Sequence, residues 1–204
     1  TVDGQGAVTV NSLEGDSTSL LAGITVSGTT TVNADSNVDF SGTFPGAPFS
    51  IISGGNTVTL KSTGLNAALD ISGSFTSTAT LLDGKTISGS GAVTVNSLEG
   101  DPTSLLAGIT VSGTTTVNAG SDTDFSGTFP ATAFTLGGNK EVTLKNSSAI
   151  TDGQTMTVNG SNKLTSVAAN VTGKTITGTG TVAVTSIEST LGVDLSNIDP
   201  TTLT

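Results

Sequence analysis

The stretch GAVTVNSLEGDSTSLLAGITVSGTTTVNADSNVDFSGTFP, from Gly6 to Pro45, occurs twice in this chain of 204 residues. Its second copy runs from Gly91 to Pro130, which is 85 positions later (91 − 6 = 85). The copies differ only at the aligned pairs Ser17/Pro102, Asp35/Gly120, Asn37/Asp122 and Val38/Thr123. A near-identical internal repeat is typical of proteins built from stacked or arrayed units.

A third, partial copy begins at Gly173, where the sequence GKTITGTGTV echoes the segment Gly84–Val93. These copies divide the chain into repeat unit 1 (residues 1–85), repeat unit 2 (86–172) and a partial repeat unit 3 (173–204). We expect the three units to form one continuous body rather than separate domains, because repeats of this kind bury their apolar faces against their neighbours.

Short segments of alternating apolar and polar residues recur throughout the chain. Examples are Ala7–Val10, Ile24–Val26 and Leu69–Ile71, and most such segments end at a glycine. Alternation with a period of two is typical of strands with one buried face. Glycine and β-branched residues are too frequent for long helices, so the sequence predicts an all-β fold.

Two β architectures fit this pattern. One is a β-solenoid, parallel β-helix-like, whose coils of about 15–25 residues stack along one axis. The other is a row of Ig-like β-sandwiches, one in each repeat unit. A sandwich cut inside the third copy would leave strands without a partner sheet, whereas a solenoid can be cut after any coil. We therefore predict the β-solenoid and keep tandem Ig-like sandwiches as the alternative.

One aligned position reads Gly23, Gly108 and Asn197 in the three copies. Glycine and asparagine both tolerate positive φ, so we predict a left-handed backbone conformation at this position.

The composition excludes several classes of function. The chain contains 6 Lys or Arg against 16 Asp or Glu, giving a net charge of −10, and it has no His and no Cys. Nucleic-acid binding needs clusters of cations that are missing. No apolar run approaches the roughly 20 residues of a membrane helix. A nucleophilic triad would lack its histidine base, so we expect no enzyme.

Phenylalanine provides the largest apolar side chains, and three positions carry it in both full copies. They are Phe40, Phe44 and Phe49 in repeat unit 1 and Phe125, Phe129 and Phe134 in repeat unit 2. We predict that these rings pack in the core rather than form an aromatic platform for a ligand.

Carboxylates cluster at recurring loop positions. The candidate calcium ligands are Glu14, Asp16, Glu99, Asp101, Asp122 and Asp124. Calcium prefers six to eight oxygen ligands from such loops, but each cluster here offers two or three carboxylates and the EF-hand pattern is absent. Solvated loops are the alternative interpretation, and the sequence predicts no other cofactor.

Thr-x-Thr triplets form a further pattern. They occur at Thr57–Thr59, Thr76–Thr78, Thr155–Thr157 and Thr175–Thr177, at irregular intervals. A flat threonine array on a solenoid could order water and bind ice. The alternative explanation is the ordinary preference of threonine for exposed strand positions.

The segments GKTISGSGAVTV (Gly84–Val95) and DLSNI (Asp194–Ile198) resemble parts of very long, acidic, Thr/Gly-rich repeat proteins of bacterial cell surfaces. That group includes giant adhesins, S-layer proteins and extracellular fibres. The resemblance implies an exported structural or adhesive role at the cell surface, often with calcium, and it implies no catalytic residues.

We therefore predict a structural repeat segment of an extracellular bacterial surface protein, acting as a stalk, fibre or surface-layer component. Its partners would be further copies of itself, paired head to tail through open strand edges, with no nucleic acid and no membrane insertion. The alternatives are an adhesin or phage-type binding module that recognises a glycan or host surface and, behind it, an ice-binding protein.

Overall fold

The computed structural model describes residues 1–15, 20–62, 64–99, 104–187 and 192–204, apart from the side chain of Thr201. Parallel strands stack into a β-solenoid of about nine turns. The predicted solenoid is therefore confirmed. The alternative of Ig-like sandwiches is wrong, because every pairing between the described strands is parallel, whereas the sheets of such sandwiches are antiparallel.

Most of the strands are short, and two single-turn helices interrupt them. The strands are β1 (Val2–Gly4), β2 (Val8–Val10), β3 (Ile24–Val26), β4 (Thr30–Asn33), β5 (Val38–Phe40), β6 (Phe49–Leu60), β7 (Leu69–Thr78), β8 (Ile87–Gly89), β9 (Ala92–Leu98), β10 (Thr115–Ala119), β11 (Thr123–Phe125), β12 (Phe134–Gly137), β13 (Glu141–Leu144), β14 (Thr155–Val158), β15 (Lys163–Val167), β16 (Thr175–Thr185) and β17 (Ile198–Leu203). The helices are α1 (Ala79–Leu82), between β7 and β8, and α2 (Ala168–Val171), between β15 and β16.

Pairing between coils arranges the strands in three columns. Column I contains β2, β4, the first halves of β6 and β7, and β8. Column II contains β5, the second halves of β6 and β7, then β9, β10, β12, β14 and the first halves of β16 and β17. Column III contains β11, β13, β15 and the second halves of β16 and β17. Strands β1 and β3 pair separately.

The coils differ in length, which is why the sequence shows no strict coil period. Paired residues are 17 positions apart at Val58 and Phe75 but 23 apart at Leu20 and Thr43. Bulges absorb the difference; one of them lies in β6 between Ile52 and Thr57. A bulge lengthens one strand without changing which residues point inward on either side of it.

The repeat unit does not contain a whole number of coils. In column I, successive pairings lead from Val10 through Val32, Ile51 and Ile71 to Gly89. Four coils therefore take 79 residues (89 − 10 = 79), six fewer than the 85-residue repeat. The repeat equivalent of Val10 is Val95, which lies on the next column and pairs with Ser77. Identical sequences in units 1 and 2 thus occupy different faces of the solenoid.

The pairing continues across both boundaries between repeat units. Strand β7 of unit 1 pairs with β8 and β9 of unit 2, and β14 and β15 of unit 2 pair with β16 of unit 3. The three units thus share one sheet network.

The inward positions of all columns meet in one apolar core. Valine, isoleucine and leucine provide most of it, and the two phenylalanine clusters are its largest side chains. The ring of Phe44 lies 4.3 Å from that of Phe40 and 5.0 Å from that of Phe49, centroid to centroid. In unit 2, Phe129 lies 4.4 Å from Phe125 and 4.6 Å from Phe134. Each cluster joins neighbouring segments of the coil by close aromatic packing.

The predicted left-handed conformation at Gly23, Gly108 and Asn197 is wrong, because none of the three has positive φ. Gly108 serves a different purpose: a Cβ there would lie 2.2 Å from the carbonyl oxygen of Lys85 in the neighbouring coil. The glycine allows two backbones to approach closely.

Left-handed backbone occurs instead at another aligned position, which carries serine in every copy. Ser12, Ser97 and Ser186 have φ of 54°, 53° and 52°. In unit 1 the Ser12 hydroxyl donates to Asp35 at 2.6 Å, and this contact joins two coils.

Candidate functional site

An outward-facing ladder of threonines runs along column II. The cross-coil register places Thr59, Thr76, Thr94, Thr116, Thr135, Thr157 and Thr177 side by side on seven successive coils. We call this set the threonine ladder. Asp39 pairs with Thr59 at one end of the ladder, and Asp199 pairs with Thr177 at the other.

The ladder faces outward because a buried residue precedes each threonine. The seven preceding residues are Val58, Phe75, Val93, Thr115, Phe134, Met156 and Ile176, all of them buried. Side chains alternate between the two faces of a strand, so the ladder threonines point to solvent, and each is half-exposed. The apolar core thus fixes the direction of every ladder side chain.

A second row lies two residues earlier, on the same strands or one residue before the strand begins. It contains Thr57, Ser74, Ala92, Thr114, Ala133, Thr155 and Thr175. Together with the ladder, this row forms what we call the threonine face. Its fourteen positions carry only threonine, serine and alanine, so the face has no formal charge although the chain carries a net charge of −10.

The ladder hydroxyls remain available to solvent. Within the described ranges, the threonine hydroxyls that bond to protein groups are other ones, those of Thr78, Thr110, Thr165, Thr172, Thr179 and Thr185. A hydroxyl donates one hydrogen bond and accepts two, so the ladder presents a regular set of donors and acceptors to water.

The described ion pairs lie on column III or at the borders of this face, not within it. Column III pairs Glu141 with Lys163 at 3.1 Å, and Lys145 contacts Asp124 at 3.0 Å. Lys61 contacts Asp39 at 3.5 Å, at the first end of the ladder. Each ion pair joins neighbouring coils, so the charges support the stacking and leave the threonine face neutral.

The ladder is not a by-product of the sequence repeat. The repeat equivalents of Thr94 and Thr116 are Thr9 and Thr31, which lie on column I because the copies are rotated. There the corresponding row continues through Ser50 to a carboxylate at Asp70. On column II, unrelated positions of units 1, 2 and 3 converge to keep one continuous row of threonine.

Those candidate calcium ligands that the structure describes do not form a cluster of three. Glu14 and Glu99 are exposed, and Asp16 and Asp101 lie outside the described residues. Asp122 accepts a hydrogen bond from the backbone nitrogen of Glu141 at 2.9 Å, and Asp124 contacts Lys145. In the part of the chain that the structure describes, no three acidic residues form a metal-binding group. Calcium at these residues stays a prediction.

No known protein family, curated protein or solved structure matches this chain. Among the described helices, none has the length and hydropathy to cross a membrane.

Sequence reasoning found part of the threonine face. The triplets Thr57–Thr59, Thr155–Thr157 and Thr175–Thr177 lie on it, whereas Thr76–Thr78 contributes its first residue to the ladder. Thr94, Thr116 and Thr135 were missed. Their common signal, a threonine after a buried strand position, becomes visible only when the length of each coil is known.

The Glu141 carboxylate, on column III, makes the stability of the solenoid depend on pH. The Thr165 hydroxyl, which donates to it at 2.6 Å, and the neighbouring Lys163 hold the pKa of Glu141 below its ordinary value. Because this pKa is lower in the folded than in the unfolded state, the ionised carboxylate stabilises the fold at every pH above the ordinary carboxyl pKa. This stabilisation is lost as the pH falls through the lowered pKa of the folded state.

We expect Glu141→Gln to lower the free energy of unfolding at neutral pH by at most about 1 kcal/mol, because exposed ion pairs are screened by solvent. The difference from the wild type should shrink as the pH falls below the lowered pKa of Glu141. Thermal melts between neutral and acidic pH would measure it, with the exposed Glu99→Gln as the matched control. A deficit of the same size at every pH would contradict the assignment.

Proposed function

We propose that this chain is a structural repeat segment of an extracellular bacterial surface protein, forming part of a stalk, fibre or surface layer. The observation that supports this most is the single sheet network from β2 to β17, which crosses both boundaries between repeat units. Its hydrogen bonds run along the axis, so the units behave as one mechanical body.

The architecture suits a building block of variable length. In a solenoid each coil contacts mainly its neighbours, so adding repeats extends the rod without changing its cross-section. About nine turns spaced by about 4.8 Å give an axial length of roughly 40 Å. The rotation of unit 2 relative to unit 1 means that each further repeat would also present its sequence on a new face.

The two terminal strands offer a route to assembly. Within the described residues of this segment, β17 pairs with β16 on one edge and β1 pairs with β3 on one edge, so the second edge of each strand has no partner in the segment itself. Val2 and Leu203, at these edges, are half-exposed. Open parallel edges bind further strands, and we propose that copies of this segment associate head to tail through them.

Sedimentation velocity over a range of concentrations tests this assembly. The wild type should form rods that lengthen with concentration, seen by electron microscopy as unbranched filaments. Val2→Lys combined with Leu203→Lys places like charges at both edges, and we expect it to raise the concentration needed for assembly by about tenfold or more, which corresponds to about 1.4 kcal/mol.

Ile52→Lys is the matched control, because Ile52 has similar exposure but lies on the side of the solenoid. It should assemble like the wild type. A wild type that stays monomeric at every concentration, or a control that assembles as poorly as the edge variant, would contradict the proposal.

A further inference from the structure

The threonine face forms a two-dimensional grid with fixed spacings. Neighbouring coils in a parallel sheet lie about 4.8 Å apart, and alternate residues along a strand lie about 6.6 Å apart. Thr57 and Thr59, Thr155 and Thr157, and Thr175 and Thr177 fill both rows, and the ladder row is complete across seven coils. Hydroxyl and methyl groups therefore repeat along the whole ladder and, at these coils, along the strand as well, with the regular spacings that binding to a crystalline water lattice requires.

The chemistry of the face also matches an ordered water lattice. Each threonine offers one donor and two acceptor sites beside a methyl group, which cannot hydrogen-bond. Ionic groups would impose their own tightly held hydration shells, and the fourteen positions of the face contain none. Ice presents donors and acceptors in equal measure and no charge, which makes the neutral face its complement.

The side chains of the ladder are ordered before any ligand arrives. Threonine is β-branched, so few χ1 rotamers are available to it. Buried neighbours such as Phe75, Phe134 and Met156 fix the strand beneath. Little conformational entropy is lost on binding, which is the condition under which many weak contacts add up to useful affinity.

The face is distinguished from the rest of the solenoid. Column I reaches a carboxylate at Asp70, and column III carries the pair Glu141–Lys163. The ladder, by contrast, is kept across a rotation of the repeat that would otherwise have moved its threonines to another face. Positions of units 1 and 2 that are not equivalent in the repeat therefore both carry threonine on this face.

We propose that the threonine face binds ice, with the ladder as its central row. A glycan fits less well, because sugar sites use exposed aromatic rings and charged or amide groups, whereas Phe75 and Phe134 are buried beneath this face. The proposal is independent of head-to-tail assembly, since the face lies on the side of the rod.

Thermal hysteresis and the incorporation of fluorescently labelled chain into a growing ice hemisphere provide the test. The repeat itself supplies a matched pair of variants, Thr116→Tyr and Thr31→Tyr. Both replace the third threonine of the same local sequence, GTTTVN, but Thr116 lies in the ladder and Thr31 lies on column I. Tyrosine is accepted at exposed strand positions, so both variants should fold.

We expect the wild type and Thr31→Tyr to show hysteresis and uptake into ice, and Thr116→Tyr to lose most of both, with melting temperatures similar for all three. Thr59→Tyr and Thr157→Tyr, at other coils of the ladder, should show smaller losses and provide a second check if Thr116→Tyr folds poorly. Absence of hysteresis in the wild type, or equal losses at Thr31 and Thr116, would overturn the proposal. The proposal would also be overturned if the wild type were inactive on ice but bound a glycan on an array, and if Thr116→Tyr abolished that glycan binding.

Discussion

Phe129→Ala is expected to lower the free energy of unfolding by about 3–5 kcal/mol, the range for removing a fully buried aromatic side chain. Phe129 is completely buried between the rings of Phe125 and Phe134, 4.4 Å and 4.6 Å away. The substitution removes two aromatic contacts as well as buried area, and parallel coils on either side cannot easily collapse into the cavity. Urea unfolding followed by circular dichroism would measure the loss.

Two further variants separate packing from other effects of the substitution. Phe129→Leu keeps most of the volume and should cost clearly less. Leu105→Ala should change the stability by less than about 0.5 kcal/mol, because Leu105 is 46% exposed although it bridges to Thr128, next to Phe129. Since solenoids unfold through neighbouring units, hydrogen exchange in Phe129→Ala should accelerate first in the coils around residue 129. Equal stability of Phe129→Ala and Leu105→Ala would contradict this account of the core.

The second large effect is expected from Gly113→Ala. A Cβ at this position would lie 2.2 Å from the carbonyl oxygen of Gly91 and 2.8 Å from that of Ser90. Both atoms belong to the backbone of the neighbouring coil, so a side-chain rotation cannot relieve the clash. We expect a loss of at least about 1–3 kcal/mol, the usual cost of overpacking, measured by thermal and urea unfolding.

Gly46→Ala is the matched control for this substitution. Gly46 has no heavy atom within 4 Å of the position of an added Cβ, and its φ is not positive. Its replacement should leave the stability within about 0.5 kcal/mol of the wild type or raise it slightly. If Gly113→Ala and Gly46→Ala had the same melting temperature, close backbone approach would not be the reason for glycine at position 113.

The contacts of the acidic loop residues could not be predicted from the sequence. The sequence grouped Asp122 and Asp124 as candidate calcium ligands because they are close along the chain. In the folded solenoid, Asp122 accepts from the backbone of Glu141 and Asp124 contacts Lys145, both one coil away. These partners are 19 and 21 positions distant in the sequence (141 − 122 = 19; 145 − 124 = 21), and nothing local indicates them.

The sequence by itself determined the all-β class and which residues of each strand face inward, and it favoured the solenoid over tandem sandwiches. In Thr57–Thr59 or Thr155–Thr157, the alternation of threonine with a buried apolar residue is a local property, because successive side chains on any strand point to opposite faces. The repeated phenylalanines likewise had too much apolar surface to lie anywhere but in the core.

Only the tertiary structure decided which residues stack on which. That depends on the full length of each coil, from 17 to 23 residues, and bulges such as the one between Ile52 and Thr57 change this length without disturbing the local alternation. The accumulated difference of six residues rotates unit 2 by one face, moving Thr116 into the ladder while its repeat equivalent Thr31 stays outside it. The position of each threonine on the face therefore depends on the lengths of all the coils before it, and no single segment of the sequence reveals the face.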